Sequence, residues 1–145
     1  MRRIGLFTFA LLSLAAALSA DWNDAPGRGL IPFWINYGDY YTLLVFVNGD
    51  DATADVIRIR FCDEHGNWCS DPTSDMFFIR QREMLPFSTT PKMPDSITWI
   101  PTTASYGYVM FRTYYGAHIH AWAVVMNEIS GTAMVVPAYD QDKGF

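Results

Sequence analysis

Residues 40–69 read YYTLLVFVNGDDATADVIRIRFCDEHGNWC, and this stretch decides the fold class. Residues 40–47 are apolar on both faces, the composition of a central strand, and Asn48-Gly49-Asp50-Asp51 ends it with turn residues. Residues 54–62 alternate strictly. Ile57, Ile59 and Phe61 fall on one side of an extended chain, Arg58 and Arg60 on the other. The spacer from Asp63 to Trp68 then carries the residues of a hairpin tip.

The same grammar extends in both directions. Upstream, residues 30–37 form an apolar segment broken by Pro32, the mark of an edge strand. Downstream, residues 76–82 set Phe77 and Ile79 against Arg80 and Arg82. Residues 85–103 hold four prolines and read as a long connection, with a short strand at 97–100. Strands are expected at 106–113, 117–127 and 132–138, and no segment after the first twenty residues has the period of an amphipathic helix. Short strands at this spacing predict an all-β chain, a single antiparallel β-sandwich of about 7–9 strands over residues 30–139. Residues 21–29 are expected to be a flexible N-terminal segment and 140–145 a C-terminal tail.

Residues 1–20 read as a cleavable signal peptide. Arg2 and Arg3 precede an uncharged apolar run from Ile4 to Leu18, and the small residues Ser19 and Ala20 come before Asp21. That run is shorter than the roughly 20 residues a bilayer-spanning helix needs, and no later apolar run is long enough. The mature chain is therefore expected to be exported, periplasmic or extracellular, without a transmembrane segment. Removal of Arg2 and Arg3 leaves 8 basic against 15 acidic residues, a formal charge of −7. Such a surface is a poor partner for nucleic acid, whose phosphates require Lys and Arg.

Cys62 and Cys69 are the two cysteines, flanking the hairpin tip. With a four-residue loop from Glu64 to Asn67 they face each other in a non-hydrogen-bonded pair, where side chains lie close. This predicts a structural disulfide closing an eight-residue loop, with a stabilisation of about 2.5 kcal/mol. A redox or metal role lacks the C-x-x-C spacing.

Residues 106–127 read as a hairpin around Tyr114-Tyr115-Gly116, with Gly116 in a left-handed conformation. One face then holds Val109, Phe111, Ile119, Ala121 and Ala123. The other gathers Tyr106, Tyr108, Met110, Arg112, His118, His120 and Trp122, an amphipathic stripe and the leading candidate for binding. Three fates are open to it: cover by the proline-containing connection, contact with a partner or another copy, or a small ligand. Tyr106, Tyr108 and Trp122 could serve as a stacking platform for a glycan. His118-x-His120 has chelating geometry on a strand but no third ligand at a telling distance, so no metal is assigned.

Arg58, Arg60, Arg80 and Arg82 would form a basic stripe for an anion if their strands are neighbours. The acidic turn at 48–51 and the Asp140-x-Asp142 tail lack EF-hand spacing. Nucleophile-elbow, zinc-protease, phosphate-loop and dinucleotide motifs are all absent, so neither catalysis nor a cofactor is expected.

Four segments carry a resemblance: YYTLLVFVNGDDATADVIRIRFCDEHGNW, LPFSTTP, SYGYVMFRT and AHIHAWAVV. A strand ending in Asn, a small-residue turn, and an aromatic-x-Asp-x-x-Gly tip give residues 40–139 a layout that resembles secreted bacterial β-sandwich proteins of unassigned role. More distantly it is similar to the sensory rhodopsin transducer family. The resemblance implies a sandwich that assembles through its sheets and carries over no functional residues. The signal peptide and cysteine pair depart from the cytoplasmic transducer. The expected role is a non-catalytic module that binds a protein partner or copies of itself, with glycan binding as the alternative and a metal-dependent enzyme using His118 and His120 as the least favoured reading.

Overall fold

The alternation at residues 54–62 becomes strand β3, Asp55–Cys62, with Ile57, Ile59 and Phe61 buried in the core. The chain's computed structural model describes residues 27–70 and 75–140; the signal-peptide reading, residues 21–26 and residues 141–145 lie outside the described residues. The other strands are β1 Gly27–Ile35, β2 Tyr40–Asn48, β4 Met76–Ile79, β5 Met84–Ser88, β6 Thr98–Trp99, β7 Tyr106–Thr113, β8 Ile119–Asn127, β9 Ala133–Pro137 and β10 Tyr139–Asp140. They form two five-stranded sheets, ordered β10-β1-β7-β3-β4 and β6-β5-β2-β8-β9. Every pairing is antiparallel except β5 with β6. The architecture is an all-β sandwich.

Aromatic side chains join the two sheets. Phe46 of β2 meets Phe111 of β7 edge to face at 5.2 Å between centroids, and Phe87 of β5 at 5.8 Å. Phe77 of β4 reaches Phe87 at 4.4 Å, so the core crosses from sheet to sheet through rings. The fully buried rings among these, Phe46 and Phe87, each contribute about 1.5–3 kcal/mol by leaving water. Trp34 is wholly buried against Phe61, and its indole N–H donates to the Cys62 carbonyl at 3.0 Å. Gly107 lies opposite Trp34 in the β1–β7 ladder, and a Cβ there would collide with that same carbonyl.

The strand expected at an edge is β1, which starts at Gly27, inside the segment expected to be flexible, and lies between β10 and β7; three further local readings are corrected. The first is the expected hairpin of residues 106–127. Its arms belong to different sheets: β7 pairs with β1 and β3, while β8 pairs with β2 and β9. The link between them is an arch pinned by Asp55. This fully buried carboxylate accepts backbone N–H bonds from Tyr114 at 2.8 Å, Tyr115 at 3.0 Å and Ala117 at 3.0 Å, besides Val56 at 2.7 Å. Gly116 does take a left-handed φ of 77°. The inward faces were read correctly, because two strands facing each other across a sandwich bury the same alternating positions as two arms of a hairpin.

The second correction is the disulfide: Cys62 and Cys69 are buried free thiols. Asp63 closes the tip with Asn67, its N–H donating to the Asn67 carbonyl at 3.0 Å while its carboxylate accepts the N–H groups of His65 and Asn67. This register sets Cys62 opposite Trp68, and the Cys69 N–H donates to the carbonyl of Phe61. A one-residue slip turns alternate side chains to opposite faces. Cys69 thus joins the core cluster, while the Cys62 thiol meets the Tyr108 hydroxyl.

The third is the proline-containing connection, whose first residues are strand β5 beside β2. Pro86 is tolerated because residues of its parity turn their backbone away from β2. The Ser88 carbonyl accordingly accepts from Ile100 on the far side, and β6 does not extend as far as Pro86.

Candidate functional site

The seven stripe residues divide between opposite sides of the sandwich. Tyr108, Met110 and Arg112 face outward from the first sheet, and Tyr106 sits at the same strand's start. His120 and Trp122 face outward from the second, with His118 just before β8. The aromatic platform of Tyr106, Tyr108 and Trp122 is therefore not formed. Tyr106 donates its hydroxyl to Glu64 at 3.1 Å, and Tyr108 is engaged with the Cys62 thiol.

On the first sheet the outward positions build an arginine row. Arg28 of β1, Arg112 of β7 and Arg58 of β3 stand directly opposite one another across three neighbouring strands. Arg60 lies one pair along, with Trp68 stacked 3.4 Å from its guanidinium. Asp75 is buried, holding Arg58 at 2.8 Å and Arg60 at 3.9 Å. Burial, then the neighbouring Arg58, lowers the Arg60 pKa to about 10. The stripe expected from Arg58, Arg60, Arg80 and Arg82 does not form. β4 ends at Ile79, and Arg82 turns at a φ of 55° to pair with Asp51 at the opposite end of β3. Arg28, Arg58, Arg60 and Arg112 are all engaged with their surroundings, so the row is a packed feature of the sheet.

The outer face of the second sheet has the opposite character. Its rows run Met84–Val47–His120, then Pro86–Val45–Trp122–Pro137, then Ser88–Leu43–Val124–Val135, then Tyr41–Met126–Ala133. None of these side chains is Asp, Glu, Lys or Arg. Met84 is 59% and Val135 65% exposed, and Trp99, beside Ser88 on β6, is 49% exposed. Four strands at about 4.8 Å spacing and six residue steps of about 3.4 Å give a plane of roughly 400 Å². An apolar patch of a few hundred Å² is of the size often found functional, and within this plane Ser88 is itself buried. The connection after β5 does not bring charge into its centre: Lys92 bonds Glu128 at 2.7 Å, at the rim beyond Asn127.

A cleft of about 790 Å³ adjoins this face, at the side of the sandwich where β1 and β10 approach β8. It collects His118, His120 and Trp122 from the expected stripe, together with Phe111, Ile119 and Tyr139. His118 lies 3.8 Å from Asp50, and among the described residues no three His, Cys, Asp or Glu gather to hold a metal ion. The apolar second face was present in the sequence as the doubly apolar run at 40–47, and what was missing was which of its outer residues, Met84 and Val135 among them, stay exposed.

Neither a family model nor a curated protein matches the sequence. Among solved structures, the crystal structure of Thermotoga maritima 1070 is similar, with a TM-score of 0.55 and 16% identity over 80% of this chain and 95% of that one. The likeness is one of fold. No helix among the described residues is long and apolar enough to cross a membrane.

Proposed function

We propose that this protein is a non-catalytic β-sandwich module that holds a protein partner or copies of itself, in the cell envelope or outside the cell. The observation that carries this reading is the uncharged outer face of the second sheet, with Val45, Trp122 and Val124 at its centre. Burying such a face against another protein releases water from apolar surface, at about 25 cal/mol per Å². Charge favours a second copy as the occupant. The chain carries a formal charge of −5, and a second copy meets the least like-charge repulsion across a face without Asp, Glu, Lys or Arg. A lipid surface fits less well, because the face offers no Lys or Arg to anionic headgroups.

Hydroxyl-radical footprinting across a concentration series tests this reading. Protection of Met84, Trp122 and Met126 should grow with concentration while Tyr37 and Tyr115 stay reactive. Uniform reactivity at every concentration, with no added partner protein protecting the face, would refute it.

A further inference from the structure

Strand β8 is covered along only part of its edge. Its ladder with β9 runs from Met126–Ala133 to Trp122–Pro137, and the Ala138 N–H then reaches the Ala121 carbonyl at 3.2 Å. Beyond Pro137 the chain leaves the second sheet, and β10 pairs with β1 in the first. Among the described residues, no strand lies beside residues 117–120 on that edge.

Neighbouring bonds fix where this backbone points. The His118 carbonyl accepts from Gly49 on the β2 side, and the Ala121 carbonyl faces the β9 side. Antiparallel strands alternate in this respect, so the N–H and C=O of Ile119 turn toward the uncovered edge. That edge forms one wall of the 790 Å³ cleft. On the facing wall the side chains of Thr113 and Phe111 pack over Gly27 and Gly29, and Arg28, Tyr139 and Asp140 also line the cleft.

The volume would suit a small molecule, yet the wall presents the backbone donor and acceptor of Ile119, whose same-face neighbours are Ala117 and Ala121. A lipid chain or an aromatic ring would leave these groups without partners, whereas an extended polypeptide complements them. We propose that the cleft takes up an extended peptide segment of another protein, which adds to β8 as a short strand along residues 117–120. Such strand addition draws affinity from the main chain and selectivity from alternate side chains. Inward side chains of the guest meet Phe111, Ile119 and Ala121, which select small or aliphatic residues. Outward ones lie beside His118, His120 and Trp122. This site shares His120, Trp122 and Pro137 with the outer face of the second sheet, and the Ile119 amide, which faces the uncovered edge, distinguishes binding here from binding there.

Amide exchange and chemical shifts of the ¹⁵N-labelled full chain test the proposal, with acetylated and amidated heptapeptides Thr-Xaa-Thr-Xaa-Thr-Xaa-Thr (Xaa being Ala, Val or Leu) as probes. In the free protein the Ile119 amide should exchange faster than those of Ala123 and Val125, which face β9. Peptide should shift the Ile119 resonance and slow its exchange. N-methylation of alternate peptide residues, which removes donors and leaves side chains unchanged, should weaken binding about tenfold for each hydrogen bond lost. Three results would each overturn the proposal. They are an Ile119 amide already as protected as Ala123 in the free chain (the edge closed by the chain itself), shifts unmoved by every peptide, and N-methylated peptides that bind as well as their parents.

Discussion

Replacing Asp55 with Ala tests the joint that divides the two sheets. In the folded protein its carboxylate accepts four backbone N–H groups, three of them from the arch residues Tyr114, Tyr115 and Ala117, 59 to 62 positions along the chain. A hydrogen bond to a charged group contributes about 1.5–3 kcal/mol, and a buried donor left without an acceptor costs about 1–3 kcal/mol. The simple sum overstates the loss, because Tyr115 is 38% exposed and its N–H can turn to water. The expected destabilisation is about 3–5 kcal/mol, the range for breaking a buried network. For a domain of this size that lowers Tm by about 10–20 °C. Asp55→Asn keeps one acceptor oxygen and should lose about half as much. Urea melts followed by tryptophan fluorescence supply the magnitude, and amide exchange at Tyr114 and Ala117 supplies the location. A loss below about 1 kcal/mol for Asp55→Ala, with the arch amides still protected, would refute the assignment of Asp55 as the pin.

Other consequences follow from the thiols, the arginine row and the glycine beside Trp34. Both cysteines are buried and burial raises both thiol pKa values, Cys69 from 9.0 to about 11 with Cys62 as the second cause. Ellman's reagent should therefore find two thiols after denaturation and almost none in the native protein; a native mass lighter by two hydrogens would show that they are bonded instead. Between pH 9 and 11 the unfolded chain releases the Cys69 proton while the folded chain retains it. Stability should consequently fall across that window, by about 2–3 kcal/mol. Urea melts of wild type and Cys69→Ala at pH 8 and pH 10.5 measure the difference, and equal pH slopes would contradict it. Asp75→Asn removes the carboxylate beside Arg58 and Arg60, and should cost about 3–5 kcal/mol; a change within error in the melt would show that the row does not depend on Asp75. Gly107→Ala drives a methyl into the Cys62 carbonyl, and should destabilise by about 1–3 kcal/mol. Retention of wild-type stability would mean that β3 and β7 separate there at little cost.

Much of the sandwich was legible because alternation reports burial directly. Ile57, Ile59, Phe61, Val109, Phe111 and Ala123 all lie inward as their spacing predicts. Which strands pair was not legible between β7 and β8. The arch is determined by Asp55 from a distant strand, and alternation has the same form in a hairpin and in facing sheets. The cysteine register turned on Asp63, which pairs with Asn67 and closes a tip one residue shorter than expected. β5 was hidden by Pro86, which reads as a strand breaker until the direction of its missing N–H is known. The candidate residues fared accordingly: parity placed Tyr108, Met110, Arg112, His120 and Trp122 on outer faces, but the division between sheets put them on two of them.

The central claim is that the second sheet's outer face binds another protein surface, a second copy above all. Sedimentation equilibrium of the wild type and Val45→Glu, run over the widest attainable concentration range, tests it most directly. Val45 sits mid-face between Pro86 and Trp122, so a carboxylate there interrupts the apolar rows without touching the core. The account predicts a wild-type mass that rises with concentration toward a dimer or larger assembly, and a Val45→Glu variant that stays monomeric with an unchanged circular dichroism spectrum. A wild type that remains monomeric throughout, or a Val45→Glu variant that assembles as strongly, would contradict it.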